Sequence, residues 1–275
     1  MKIALMDSGT GLLPTAAAVR RLRPDADLIL STDPDGMPWG PRTSNDVIAH
    51  ALEVARAAAA HAPEALIVAC NTASVHALPA LRAELEPAIP VIGTVPAIKP
   101  AAAGGGPIAI WATPATTGSP YQRDLIERFA HGVDVTGVPC PGLADAVEQA
   151  DDAAIDAAIE AAARLTPRDI HAVVLGCTHY ELLAERIRAA LQQPGAPALT
   201  LHGSAEAVAA QALRRIGAEP APAAAPTGGL RVILSGRTAG LPTTALAYAE
   251  GRLLAGSGTD RAADAALVGD GAGRR

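Results

Sequence analysis

Leu66-Ile67-Val68-Ala69-Cys70-Asn71-Thr72 and Val173-Val174-Leu175-Gly176-Cys177-Thr178-His179 follow one pattern: an apolar run, a cysteine, then small polar residues. A short apolar run rich in β-branched side chains, stopped abruptly by polar residues, reads as a buried strand giving way to a helix start. A second pair of segments, Ile3-Ala4-Leu5-Met6-Asp7-Ser8-Gly9 and Ile108-Ala109-Ile110-Trp111-Ala112-Thr113-Pro114, repeats at nearly the same offset. Two matched pairs imply two similar halves, each carrying one thiol at the carboxyl end of a strand.

Working outward, apolar runs at 2–6, 26–30, 65–69, 90–92, 108–111, 133–138, 172–175, 198–201 and 230–234 are expected as strands. Helical stretches at 44–60, 74–86, 122–130, 143–165, 180–191 and 205–216 fall between them. Strands alternating with helices indicate βαβ units and parallel sheets, so the fold class is α/β. The Ala-, Pro- and Gly-rich stretch 217–229 reads as a linker or surface loop, followed by a last strand and a helix near 243–254. Residues 255–275 have little to bury and are expected to be a mobile tail.

The chain has 275 residues, enough for two domains. With 22 basic and 28 acidic residues the net charge is −6, which disfavours nucleic acid or an anionic membrane as partner and leaves a small molecule. Aromatic residues make up only 2%, so Ala, Val, Leu and Ile must fill the core. The first apolar run meets Asp7 too soon for a secretory leader, and no stretch is long enough to span a membrane, so a soluble, cytoplasmic protein is expected. Cys70, Cys140 and Cys177 form no CxxC pair and are odd in number, which points to free thiols rather than disulfides or a metal site.

In parallel α/β sheets ligands bind beyond the carboxyl ends of the strands. That places Asp7-Ser8, Cys70-Asn71-Thr72, Ala112-Thr113 and Cys177-Thr178-His179 together at one candidate site. Any one of these polar residues could serve as a helix cap, but four strand ends converging, two with cysteine, favour chemistry. Inverting a carbon centre needs two groups flanking it, each able to give and take a proton. Cysteine suits both roles because its ordinary pKa is near neutrality, and a helix start is expected to lower it further. Asp7 is placed to serve one thiol and His179 the other. Cys140, between Val138-Pro139 and Pro141, reads as a buried small hydrophobe.

The chain resembles the aspartate/glutamate racemases, most closely the bacterial glutamate racemases. The matching segments are Met6-Asp7-Ser8-Gly9, Met37-Pro38-Trp39-Gly40, Ala69-Cys70-Asn71-Thr72-Ala73, Val91-Ile92-Gly93, Ala112-Thr113-Pro114-Ala115-Thr116, Glu148 and Gly176-Cys177-Thr178-His179-Tyr180. The resemblance implies two pseudosymmetric α/β domains with the active site in the cleft, divided as 1–97 with 206–254 against 98–205. It implies cofactor-independent interconversion of L- and D-glutamate, supplying D-glutamate for peptidoglycan, with no metal. Cys70 would take the proton from D-glutamate with help from Asp7, and Cys177 from L-glutamate with help from His179 and Glu148. Substrate binding would fall to Asp7, Ser8, Trp39, Gly40, Asn71, Thr72, Thr113, Thr116, Thr178 and His179. The expected assembly is a homodimer.

Three positions depart from the family's pattern. Trp39 stands where the family usually has Tyr, exchanging a hydroxyl for an indole N–H. Gly9-Thr10-Gly11-Leu12 lacks one of the usual glycines, so the first loop is expected to differ. His202 replaces an acidic residue and is expected to be structural. An aspartate or broad-specificity racemase would keep both cysteines, and a racemase-like binding protein without turnover is the reading from another class.

Overall fold

In the computed structural model, which describes residues 1–195 and 197–256, the strands are β1 (Lys2–Met6), β2 (Asp27–Thr32), β3 (Ala65–Val68), β4 (Val91–Gly93), β5 (Ile108–Ala112), β6 (Val135–Pro139), β7 (Ala172–Leu175), β8 (Thr200–His202), β9 (Leu230–Leu234) and β10 (Arg237–Ala239). One sheet runs β10-β9-β2-β1-β3-β4 and the other β6-β5-β7-β8. The order β2-β1-β3-β4 is thus repeated as β6-β5-β7-β8, parallel throughout. The repeat visible in sequence is a repeat of topology, with β3 and β7, the two strands that precede cysteine, in equivalent places.

β1, β3, β5 and β7 are buried on both faces, as a parallel sheet covered by helices requires. Alternate residues go to different cores. Ile3, Leu5 and Ile67 join Trp111, Val173 and Leu175 in one cluster shared by the two sheets, whereas Ala4, Met6, Leu66 and Val68 pack beneath the helix Ser44–Ala59. Burying a Leu or Ile in such a cluster is worth roughly 1.5–3 kcal/mol, so the shared core fixes the two halves against each other. Few aromatics are present, yet Trp39, Trp111 and Tyr180 are among the largest fully buried side chains.

Three long helical expectations are broken, two of them at an identifiable local feature. The 143–165 stretch divides into Leu143–Gln149 and Asp152–Leu165, because Ala150 turns left-handed (φ 52°) and Asp151 caps the next helix through Ala154 N–H at 3.1 Å. The 74–86 stretch becomes Asn71–His76 and Leu78–Leu85, restarting where Pro79 fits a first helical turn. The 180–191 stretch becomes Thr178–Glu181 and Ala184–Leu191. β10 was not expected. It returns antiparallel on β9 through Ser235-Gly236, both at positive φ (44° and 77°), the two-residue turn that matches strand twist.

β9 rejoins the first sheet beside β2 after the second sheet is complete. Residues 217–229 contain no helix or strand, as expected of a loop. The helix Ala249–Gly256 takes in the first two residues of the expected tail, and 257–275 lie outside the described residues. No helix among the described residues is long and apolar enough to cross a membrane.

Candidate active site

Both cysteines occupy the same local structure. Each lies two residues beyond its strand and is the N-cap of a short helix, with φ −140°, ψ 121° at Cys70 and φ −135°, ψ 135° at Cys177. They open into one cavity of about 440 Å³ between the strand ends of the two sheets. Every candidate site residue named from the sequence lines it except Asp7: Ser8, Trp39, Gly40, Asn71, Thr72, Thr113, Thr116, Glu148, Thr178 and His179 surround the two thiols. Among the described residues no lysine or arginine lines the cavity, and the groups they offer an anionic ligand are hydroxyls, amides and backbone N–H groups.

The halves are tied together directly at the thiols. Asn71, which follows Cys70, donates through Nδ2 to the carbonyl of Gly176, which precedes Cys177, at 3.0 Å. One hydrogen bond therefore links the two strand ends on which the cysteines sit. Asn71 Oδ1 is buried and has no hydrogen-bond partner among the described residues.

Asp7 is fully buried behind Cys70 and does not reach the cavity. Neither of its oxygens has a hydrogen-bond partner by geometry among the described residues. Burial raises its pKa to about 6, against the pull of nearby His179 and the neighbouring Cys70 thiol. The same burial, with the Asp7 charge added, pushes the Cys70 thiol well above its ordinary value. The expected lowering at a helix start therefore fails for Cys70: desolvation and a carboxylate neighbour outweigh what one helical turn supplies. Asp7 is placed to act on the thiol, and its burial separates it from the substrate contacts expected of it.

A relay stands behind Cys177. His179 Nδ1 is 3.8 Å from Cys177 Sγ, and His179 Nε2 is 3.3 Å from Glu148 Oε2. The same Glu148 oxygen accepts from the backbone N–H and from the hydroxyl of Thr10, both at 2.7 Å. Burial works against a charged imidazole at His179, but the Cys177 and Glu148 contacts outweigh it and hold its pKa well above the usual range. Glu148 suffers the same burial, yet its pairing with His179 and its bonds from Thr10 keep it below the usual carboxylate value. Thr10 was not among the residues expected here.

The first loop needs only the glycines it has. Leu12 adopts ordinary helical angles (φ −76°, ψ −17°), so the glycine it replaces is not required by the backbone. Gly11 is required by space: a Cβ there would lie 2.5 Å from Asp7 Oδ2 and His179 Nδ1 and 2.6 Å from Thr178 Oγ1. A Cβ on Gly9 would run into the Glu148 carboxylate.

Trp39 forms part of the wall, but its polar edge is turned away. Its Nε1–H donates to Asp33 Oδ2 at 3.0 Å, an oxygen that also meets His50 Nδ1 at 2.8 Å. The indole thus presents carbon surface to the cavity, and its N–H anchors the loop to the end of β2. Thr113 and Thr116 lie on the opposite rim with their hydroxyls 3.1 Å apart. Cys140 is buried as expected, at 1% exposure, with its pKa raised to about 12 by burial, though it also contributes to the lining. His202 ends β8 and does not line this cavity. Asp145, also in the lining, carries no signal in the sequence that would have singled it out.

Residues 3–212 match the family model described as Asp/Glu/Hydantoin racemase. The glutamate racemase of Roseiflexus sp. (strain RS-1) is 40% identical over 192 residues, covering 68% of this chain and 70% of that one. The glutamate racemase of Pseudomonas putida (strain F1) is 34% identical over 234 residues, covering 83% and 86%. Among solved structures, Escherichia coli glutamate racemase in complex with L-glutamate and the activator UDP-MurNAc-ala superposes with a TM-score of 0.77 at 27% identity, covering 94% of this chain and 95% of that one. With the paired strand-end thiols already in place on a repeated α/β topology, these matches make the chain a member of the Asp/Glu/hydantoin racemase family.

Proposed function

We propose that this protein is a glutamate racemase, interconverting L- and D-glutamate by proton transfer between the substrate α-carbon and the thiols of Cys70 and Cys177. The observation that carries the reading is the pairing of two cysteines at equivalent strand ends on one cavity, each backed by its own buried acid or base. The relatives named as glutamate racemases, and the Escherichia coli structure with L-glutamate, supply the substrate.

The two thiols are not prepared alike. Cys70, desolvated and beside Asp7, holds its proton and is ready to donate it. Cys177 has His179 Nδ1 at 3.8 Å, a group placed to exchange a proton with that sulfur. This state suits L-glutamate: Cys177 takes the α-proton, and Cys70 returns a proton to the opposite face. The reverse run, from D-glutamate, begins with Cys70 as thiolate, and Asp7 is the adjacent group that can take up its proton. Ser8, Asn71, Thr72, Thr113, Thr116 and Thr178 hold the substrate's carboxylates, and Trp39 and Gly40 form the wall beside it. The domain division 1–97 with 206–254 against 98–205 belongs to the same reading and is supported by the return of β9 to the first sheet. So does a homodimeric, cytoplasmic enzyme supplying D-glutamate for peptidoglycan.

The test is incubation with L-glutamate in deuterium oxide, following optical rotation and α-proton exchange together. Loss of rotation with exchange supports the proposal, whereas aspartate turning over in place of glutamate redirects the substrate. If neither amino acid loses rotation or exchanges, the racemase reading is wrong.

A further inference from the structure

We infer that Thr10 is a positioning residue for the Cys177 half of the reaction: its hydroxyl and backbone N–H fix the Glu148 carboxylate so that Glu148 can hold His179 against the thiol. The chemistry rests on the racemase reading, but the geometry stands on its own. Three donors converge on Glu148 Oε2: Thr10 N and Thr10 Oγ1, each at 2.7 Å, and His179 Nε2 at 3.3 Å. Glu148 is on the helix Leu143–Gln149 of the second half, whereas Thr10 is on the turn after β1 of the first. The hydroxyl is thus the point at which one half reaches into the acid/base pair of the other.

The flanking residues show that this approach is close. Side chains at positions 9 and 11 would collide with Glu148 and with His179 and Asp7 respectively, so the turn presses position 10 onto the carboxylate. A backbone N–H is available from almost any residue at position 10. The second donor is available only from a hydroxyl, and hydrogen bonds to a charged acceptor are the strong ones. Losing it weakens the hold on the ionised carboxylate and, through that carboxylate, on the imidazolium. His179 is faced by Cys177, Glu148 and Asp7, and Glu148 by Thr10, His179, Asp7 and Tyr248, so Thr10 is the uncharged donor among ionisable neighbours.

Thr10→Val keeps the shape and the backbone N–H and deletes the hydroxyl. Thr10→Ser restores it. Two readouts are compared: kcat/KM for glutamate, and the titration midpoint of His179 in protein carrying nitrogen-15 histidine, assigned with His179→Asn. Thr10→Val is expected to lower kcat/KM about tenfold, in keeping with one charge-assisted hydrogen bond transmitted in part. Because enantiomers have equal free energy in water, the loss must be the same from L- and from D-glutamate. The His179 midpoint is expected to fall in Thr10→Val and to return with Thr10→Ser. With an active parent enzyme both readouts must move. A change in only one, or in neither, or an equal defect in Thr10→Ser, overturns the proposal. An inactive parent overturns the racemase reading instead, and the His179 midpoint then decides the role of Thr10 by itself. Should Thr10→Val not fold, Thr10→Ala, which asks for no extra space, makes the same comparison.

Discussion

Asp7→Asn replaces a buried carboxylate by a neutral group of the same shape, and its consequence for stability can be worked from the structure. Burial raises the Asp7 pKa from 3.8 to about 6. The folded chain therefore keeps this proton to higher pH than the unfolded chain does. Between about pH 4 and pH 6 the folded state binds more protons, so stability falls as pH rises, and above the folded pKa the penalty is complete. A shift of about two units, at 1.36 kcal/mol each, is about 3 kcal/mol. The amide introduced by Asp7→Asn has no such dependence, so the stability of the variant relative to the parent should increase by about 3 kcal/mol from pH 4 to pH 7. Urea unfolding of both proteins at pH 4, 5, 6, 7 and 8 measures it. The variant should also lose most of its racemase activity, because the base beside Cys70 is gone. Parallel stability curves for parent and variant across that range would refute the reasoning, since they would mean that Asp7 is not desolvated in the folded protein.

Gly11→Ala places a Cβ at 2.5 Å from Asp7 Oδ2 and His179 Nδ1, well inside the 3.4 Å at which ordinary contact begins. Overpacking of this kind costs about 1–3 kcal/mol; a displacement of the relay by about 1 Å should lower kcat about a hundredfold, and a folded variant with parent activity contradicts the close approach. Asn71→Ala removes the bond to Gly176, so stability should drop by about 1 kcal/mol. Its kcat should fall by a larger factor than that stability loss alone implies, as steady-state kinetics beside thermal unfolding would show. Trp39→Phe deletes the donor to Asp33 and should cost about 2 kcal/mol in chemical denaturation. A rise in KM with no change in stability would instead place the indole N–H on the substrate.

Chain order and local pattern were enough to place the strands before Cys70 and Cys177, because apolar runs ended by polar residues are a short-range signal. The same signal missed the break at Ala150, where one left-handed residue ends a helix, and the break between Glu181 and Ala184. It also missed β10, which is too short and polar to register as a strand and depends on the Ser235-Gly236 turn. At the site, the lining residues that follow β1, β3, β5 and β7 were legible because the carboxyl ends of parallel strands converge, whereas Trp39, Gly40, Thr116 and Glu148 were expected only from the family resemblance.

The sequence by itself determined that two thiols would stand at equivalent strand ends of a repeated α/β unit. Tertiary structure alone decided how each thiol is prepared. Burial of the Cys70 thiol, with the Asp7 carboxylate beside it, reverses the expected direction of that thiol's pKa, and Thr10 on Glu148 joins residues 138 positions apart. The Trp39 indole N–H finds its partner in Asp33, a contact no local pattern announces. The physical reason is the same in each case: a pattern records which face a side chain takes, but desolvation and hydrogen bonding depend on what the other half of the molecule brings against it.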